Sequence, residues 1–214
     1  MKIGIKLPLP APNTQYRIPE IMMTDTFRAF IAVDLPESVK SFLSETQESL
    51  KVYEFRLKWV RPQNIHLTLK FLGDTATADT DRIAEAMTLA AGTCPIVSLA
   101  AKGIGVFPNV RRPRVIWAGL NGQIEVLANL QQTLSAHLAN LGFATDTRAF
   151  KSHLTLGRVK GKIASDRMIA AIDNLKEFES ESFETREVIL FKSELRPSGA
   201  VYTRVQAIAL QGQQ

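Results

Sequence analysis

The tetrapeptide His-Leu-Thr-Leu stands twice in this chain, as His66-Leu67-Thr68-Leu69 and as His153-Leu154-Thr155-Leu156. Each copy lies in an alternating apolar context, which is the pattern of a β-strand with residues i and i+2 on one face. His66 and Thr68 therefore share a face turned away from Leu67 and Leu69, and His153 and Thr155 share a face turned away from Leu154 and Leu156. A single His-x-Thr on a strand says little, because most such pairs lie on solvated strand faces. Here two of the three histidines fall in identical tetrapeptides, and each copy has helical segments before and after it. That signals duplication of a whole structural unit, a constraint on fold. One strand bearing an imidazole and a hydroxyl is half of an active site, and two such strands can supply both halves.

Residues 1–24 contain Pro8, Pro10, Pro12 and Pro19, which propagate neither helix nor central strand. They read as a disordered leader or N-terminal extension, with Met22 or Met23 a natural start, and residues 25–214 as one bilobal domain. The first half then runs strand 27–33, a helix opened by Asp34-Leu35-Pro36 with Val39, Phe42, Leu43 and Leu50 on its apolar face, a strand at 57–60 and a turn at 61–64. The first motif strand ends at Gly73-Asp74. A helix over 79–91 buries Ile83, Met87 and Ala90, followed by strands at 96–106 and 114–120 and a turn at Asn121-Gly122. The second half repeats the scheme. A helix over 123–141 aligns Leu127, Leu130, Leu134, Leu138 and Leu141 ahead of a Gly142 cap. The second motif strand follows, then a helix capped by Ser165-Asp166 and reaching Phe178. Strands at 183–195 and 201–210 close the chain around the turn Pro197-Ser198-Gly199. The expected architecture is α+β: two lobes related by a pseudo-two-fold axis, antiparallel sheets facing each other and helices outside.

Composition adds limits. The chain has 214 residues, 45% hydrophobic and 22% charged, an ordinary globular profile. No apolar run approaches a membrane span. Cys94 is the only cysteine, so no disulfide can form within the chain and a reducing cytoplasm is the expected compartment. The formal net charge of +5 suits a polyanionic partner without proving one.

The phrases HLTLKFLG and HLTLGRV, together with FRAFIAVDLP, RRPRVIWAGL and FKSELRPSGAVYTRVQAIAL, resemble the 2H phosphoesterases, in the branch of RNA 2',3'-cyclic phosphodiesterases also called 2'-5' RNA ligases. The likeness runs from about Phe27 to about Leu210. It departs just before the second motif, where the family often has prolines and this chain has Ala149 and Ser152. The resemblance implies a bilobal fold with both motifs facing a central cleft. It also implies His66 as the acid that protonates the leaving ribose oxygen, His153 as the base that activates water, and Arg158 as a phosphate ligand, although two-fold symmetry leaves the reverse assignment of the histidines physically open.

Opening a cyclic phosphodiester by in-line attack needs a base on one side of phosphorus and an acid on the other. An ordinary imidazole pKa near 6.5 allows one neutral and one protonated histidine near neutral pH. Thr68 and Thr155 are placed to donate hydrogen bonds to non-bridging oxygens. No metal and no cofactor are expected, since neither motif has a carboxylate beside it and His137 lies on a leucine-lined helix. Arg111, Arg112 and Arg114 form a basic loop flanked by Phe107 and Trp117; such a loop can grip RNA, while Trp117 reads better as core. Phe30 is a candidate to stack a terminal base, and Tyr202 either lines the cleft or packs. The expected activity is metal-independent hydrolysis of RNA 2',3'-cyclic phosphate ends, tRNA fragments among them, by a monomer; the resemblance implies a 2'-phosphate product and a reverse 2'-5' ligation without ATP. Two alternatives stand beside it: the same chemistry on a small cyclic phosphate or 2'-5' oligonucleotide, and an RNA-end-binding module without turnover.

Overall fold

The computed structural model describes residues 25–197 and 199–211, so the reading of residues 1–24 and of Ser198 in the last turn lies outside the described residues. In chain order the elements are β1 (Thr26–Val33), α1 (Glu37–Lys51), β2 (Leu57–Trp59), a 3₁₀ turn (Pro62–Asn64), β3 (Leu67–Ala76), α2 (Thr80–Ala91) and β4 (Val97–Phe107). Then come β5 (Val115–Gly122), α3 (Ile124–Asn140), β6 (Leu154–Val159), α4 (Ser165–Asn174), β7 (Phe183–Thr185), β8 (Glu187–Arg196) and β9 (Gly199–Ala209).

All strand pairs are antiparallel, in the order β7-β4-β5-β6-β3-β1-β8-β9, with β2 on β6. The order reads symmetrically about the middle: β6 answers β3, β5 answers β1, β4 answers β8 and β7 answers β9. The two facing sheets expected from the sequence are halves of one curled sheet. Among the described residues they are continuous only at the pair Leu67↔Leu154, where the two motif strands touch before diverging. Both leucines are fully buried. One apolar cluster runs under both halves and takes in Leu43 and Leu50 of α1, Ile83 and Met87 of α2, and Leu127, Leu134 and Leu138 of α3. Burying each such side chain contributes on the order of 1.5–3 kcal/mol. The helices thus cover one face of the sheet and leave the other to the cleft.

Several boundaries differ from the periodicity. The strand expected at 183–195 is broken at Arg186, because Phe183–Thr185 pairs with β4 in one half whereas β8 pairs with β1 and β9 in the other. Asn121 and Gly122 belong to β5; Gly122 holds φ +105 at a close approach, where a Cβ would lie 2.5 Å from the Ser98 carbonyl oxygen. Helix α4 begins after Ala164 with no side-chain cap and ends at Asn174, short of Phe178. Phe42 is half-buried, its ring stacked on Phe178 at 4.8 Å.

The feature that positions the site is a bulge repeated in both motif strands. On β3, Thr68 pairs with Ala32 and Lys70 with Ile31, leaving Leu69 as the extra residue. On β6, Thr155 pairs with Trp117 and Gly157 with Ile116, leaving Leu156 extra. A bulge inserts one residue and so reverses the alternation of faces beyond it. The extra residue's carbonyl leaves the ladder with the bulged-over strand and must be satisfied elsewhere; the Leu156 oxygen accepts from the Val60 N–H at 2.9 Å as well as from a glutamine. Gln131 of α3 donates Nε2–H to the Leu69 oxygen at 3.3 Å, and Gln47 of α1 donates to the Leu156 oxygen at 2.9 Å and the Val60 oxygen at 2.8 Å. Each half's helix therefore reaches the bulge of the other half.

Candidate active site

The concave face holds a cleft of about 550 Å³. His66 and Thr68 reach it from one half, His153 and Thr155 from the other, as the alternation requires. Past the bulges the facing residue is the one that plain alternation would bury. Arg158, in register with Val115, enters the cleft from β6, and Phe71, in register with Phe30, enters it from β3. Lys70 is turned inward by the same shift, fully buried, with Nζ on the Ala144 carbonyl at 2.7 Å and Asp146 Oδ2 at 2.8 Å.

The two imidazoles are held alike. His66 Nδ1 lies 2.8 Å from the Asn64 carbonyl oxygen and His153 Nδ1 lies 2.7 Å from that of Lys151. A carbonyl only accepts, so each Nδ1 carries the hydrogen and each Nε2 is left for chemistry: a lone pair when neutral, a donor when protonated. Their surroundings differ. His66 stacks on Phe30 with ring centroids 4.7 Å apart and meets Tyr202 edge-on at 5.2 Å. Burial in this setting lowers the His66 pKa below its ordinary 6.5, against the opposing Asn64 hydrogen bond and Asp34 charge, with His153 lowering it further. His153 meets Phe107 edge-on at 5.0 Å. Burial likewise raises the Tyr202 phenol above its ordinary range.

Of the residues singled out from the sequence, His66, His153, Thr68, Thr155, Arg158, Phe30 and Tyr202 line the cleft. Phe30 is only 4% exposed, spent on supporting His66. Arg114 is exposed on the loop just before β5 and does not line the cleft, and Arg111 and Arg112 sit farther out on the same loop. Trp117 packs over β4, where a Cβ at Gly105 would strike its ring at 2.2 Å, and backs Phe107 at 5.0 Å. Sequence reasoning missed Phe71, which is 68% exposed, and the cations Arg28, Lys58 and Arg61. The only signal for Phe71 was its placement five residues past His66, matching Arg158 past His153. The lining includes Arg28, Lys58, Arg61 and Arg158 and no Asp or Glu among the described residues. No group of three or more His, Cys, Asp or Glu side chains is placed to hold a metal ion among the described residues. No helix there is long and apolar enough to cross a membrane.

Comparison with known proteins bears on what such a cleft belongs to. The family model described as LigT-like phosphoesterase matches residues 33–117 and 119–202, and each stretch carries one motif. An RNA 2',3'-cyclic phosphodiesterase of Methanothermobacter thermautotrophicus is 37% identical over 183 residues, covering 86% of this chain and 98% of its own. One of Methanocaldococcus jannaschii is 35% identical, covering 82% and 96%. Among solved structures, the TT0787 protein of Thermus thermophilus superposes with a TM-score of 0.72 at 28% identity, covering 87% of this chain and all of that one. The family model thus fits the chain twice over, once for each half of a cleft already built from paired motifs, and this chain belongs to the LigT-like phosphoesterase family.

Proposed function

We propose that this protein hydrolyses 2',3'-cyclic phosphate ends of RNA to 2'-phosphates, without a metal, using His153 as base and His66 as acid. The observation that carries the reading is the matched pair: two histidines, each with Nδ1 on a carbonyl and Nε2 left for chemistry, delivered by opposite halves to one cleft with no carboxylate among the described residues that line it. The curated relatives share the named activity over nearly their whole length. In the step, His153 Nε2 takes a proton from water as its oxygen attacks phosphorus. The bond from phosphorus to the ribose 3'-oxygen breaks, and His66 Nε2–H gives its proton to that oxygen, leaving phosphate on the 2'-oxygen. Thr68 and Thr155 donate to the non-bridging oxygens, and the Arg158 fork offsets their charge. Phe71 offers an open ring for the terminal base, with Phe30 behind it at 6.2 Å. In the empty cleft burial favours neutral His66; the bound phosphodiester anion favours its imidazolium and so brings it to the acid's charge state. With a 5'-hydroxyl in place of water, the same step joins that oxygen to phosphorus as the bond to the 3'-oxygen breaks, giving a 2'-5' bond with no ATP.

The test is ring opening by protein purified and assayed in EDTA. RNA ending in 2',3'-cyclic phosphate should convert to the 2'-phosphate alone, and His66→Ala or His153→Ala should each lower the rate about 10²–10⁴-fold. Loss of turnover in EDTA, restored by a divalent cation, would overturn the metal-independent mechanism.

A further inference from the structure

The two halves of the cleft match in backbone and differ in charge. Around the second motif, segments 55–66, 107–123 and 147–164 contain no Asp or Glu. The sheet sets these segments side by side. Arg158 is flanked in register by Lys58 on β2 and Val115 on β5, the Arg114 carbonyl accepts from the Val159 N–H at 2.9 Å, and the Lys160 N–H donates to the Arg56 carbonyl at 2.8 Å. Arg56, Lys58, Arg114, Arg158, Lys160 and Lys162 are all exposed, and none forms an ion pair among the described residues. At the pseudo-symmetric end the cations are matched: Asp74 stands opposite Arg28 in register, and Glu194 pairs with Lys192 at 3.1 Å and Arg196 at 2.7 Å. Unpaired, mutually repelling cations on adjacent strands destabilise a bare surface and suit one that meets a polyanion.

We infer that this three-strand platform, β5–β6–β2 and its flanking loops, is the docking surface for the RNA strand on the 5' side of the reacting end. The inference rests on the proposed function and locates where the RNA chain beyond its reacting end is held. Lys58 and Arg158 join the platform to the cleft. A chain whose terminal phosphate lies between the histidines, with its terminal base toward Phe71 in the first half, leaves across the second half. Its backbone then passes over Arg56, Lys160 and Lys162, which lie outside the cleft.

The triple variant Arg56→Gln/Lys160→Gln/Lys162→Gln tests this, with thermal stability measured alongside. Against wild type, KM for a cyclic-phosphate-ended RNA oligonucleotide should rise about tenfold or more, and the slope of log kcat/KM against log salt should flatten by about 2, near 0.7 for each lost phosphate contact. Opening of 2',3'-cyclic AMP should be unchanged. Equal loss on both substrates, or unchanged KM and salt slope for the RNA, overturns the platform. Fluorescence anisotropy with the same RNA ending in 2'-phosphate separates this inference from the activity it rests on. Weaker binding by the variant supports the platform even if wild type turns over neither substrate, in which case the proposed function fails alone.

Discussion

His66 and His153 make the same hydrogen bond and live in different surroundings, and the difference is measurable. Burial between Phe30 and Tyr202 lowers the His66 pKa below 6.5. The unfolded chain therefore takes up that proton first, so the stability contributed by neutral His66 is intact above the ordinary 6.5 and is lost as pH falls through the lower folded value. In an NMR titration the His66 ring should protonate below the midpoint of an exposed histidine, and a bound 2'-nucleotide should move that midpoint upward, since a neighbouring anion favours imidazolium. A His66 midpoint at or above the ordinary value in the empty protein would remove the basis for this account of its charge. At this scale the motif residues were legible, because a period of two assigns His and Thr to one face whatever surrounds them. Phe71 was not: alternation from Leu67 and Leu69 sends it to the core, and only the extra residue Leu69 turns it out.

The bulges are where element-level reading stops and tertiary structure takes over. A sequence shows strand periodicity but not which residue a partner strand will skip, so the inward turn of Lys70 and the outward turn of Arg158 had no local cue. The same holds for Arg186, where a continuous β pattern divides between two partners. Helices and the seam leucines were readable because their apolar spacing is long or doubled. The crossed glutamines make each bulge depend on the opposite half. Gln47→Met removes hydrogen bonds to the Val60 oxygen at 2.8 Å and to the Leu156 oxygen at 2.9 Å, the latter keeping the Val60 N–H, whereas Gln131→Met removes the bond to the Leu69 oxygen at 3.3 Å. An unsatisfied buried polar group costs about 1–3 kcal/mol, so denaturant titration should show Gln47→Met and Gln131→Met each losing about 1 kcal/mol or more. The kcat should fall in both, because Arg158 and Phe71 lose their fixed facing. Destabilisation by only a few tenths in both variants would mean that the bulges are held by other contacts.

Across the whole molecule, a single backbone scheme used twice supplies two equivalent arms to one cleft, and side-chain choice makes them unequal. One half gives Phe71 and buried, aromatic surroundings for its histidine; the other gives Arg158 and an acid-free row of cations. The sequence displayed the duplication plainly, while the joining of both halves into one sheet through Leu67↔Leu154 required the structure. In the proposed function the two histidines act on opposite sides of phosphorus in different roles. The most direct measurement compares His66→Ala and His153→Ala on the natural cyclic substrate and on a nitrophenyl phosphodiester, whose leaving group departs as a stable anion and needs no acid. His66→Ala should recover most of its lost activity on the nitrophenyl ester, while His153→Ala should stay impaired on both. Recovery by His153→Ala instead would reverse the roles, and recovery by neither would contradict acid–base catalysis divided between the two halves.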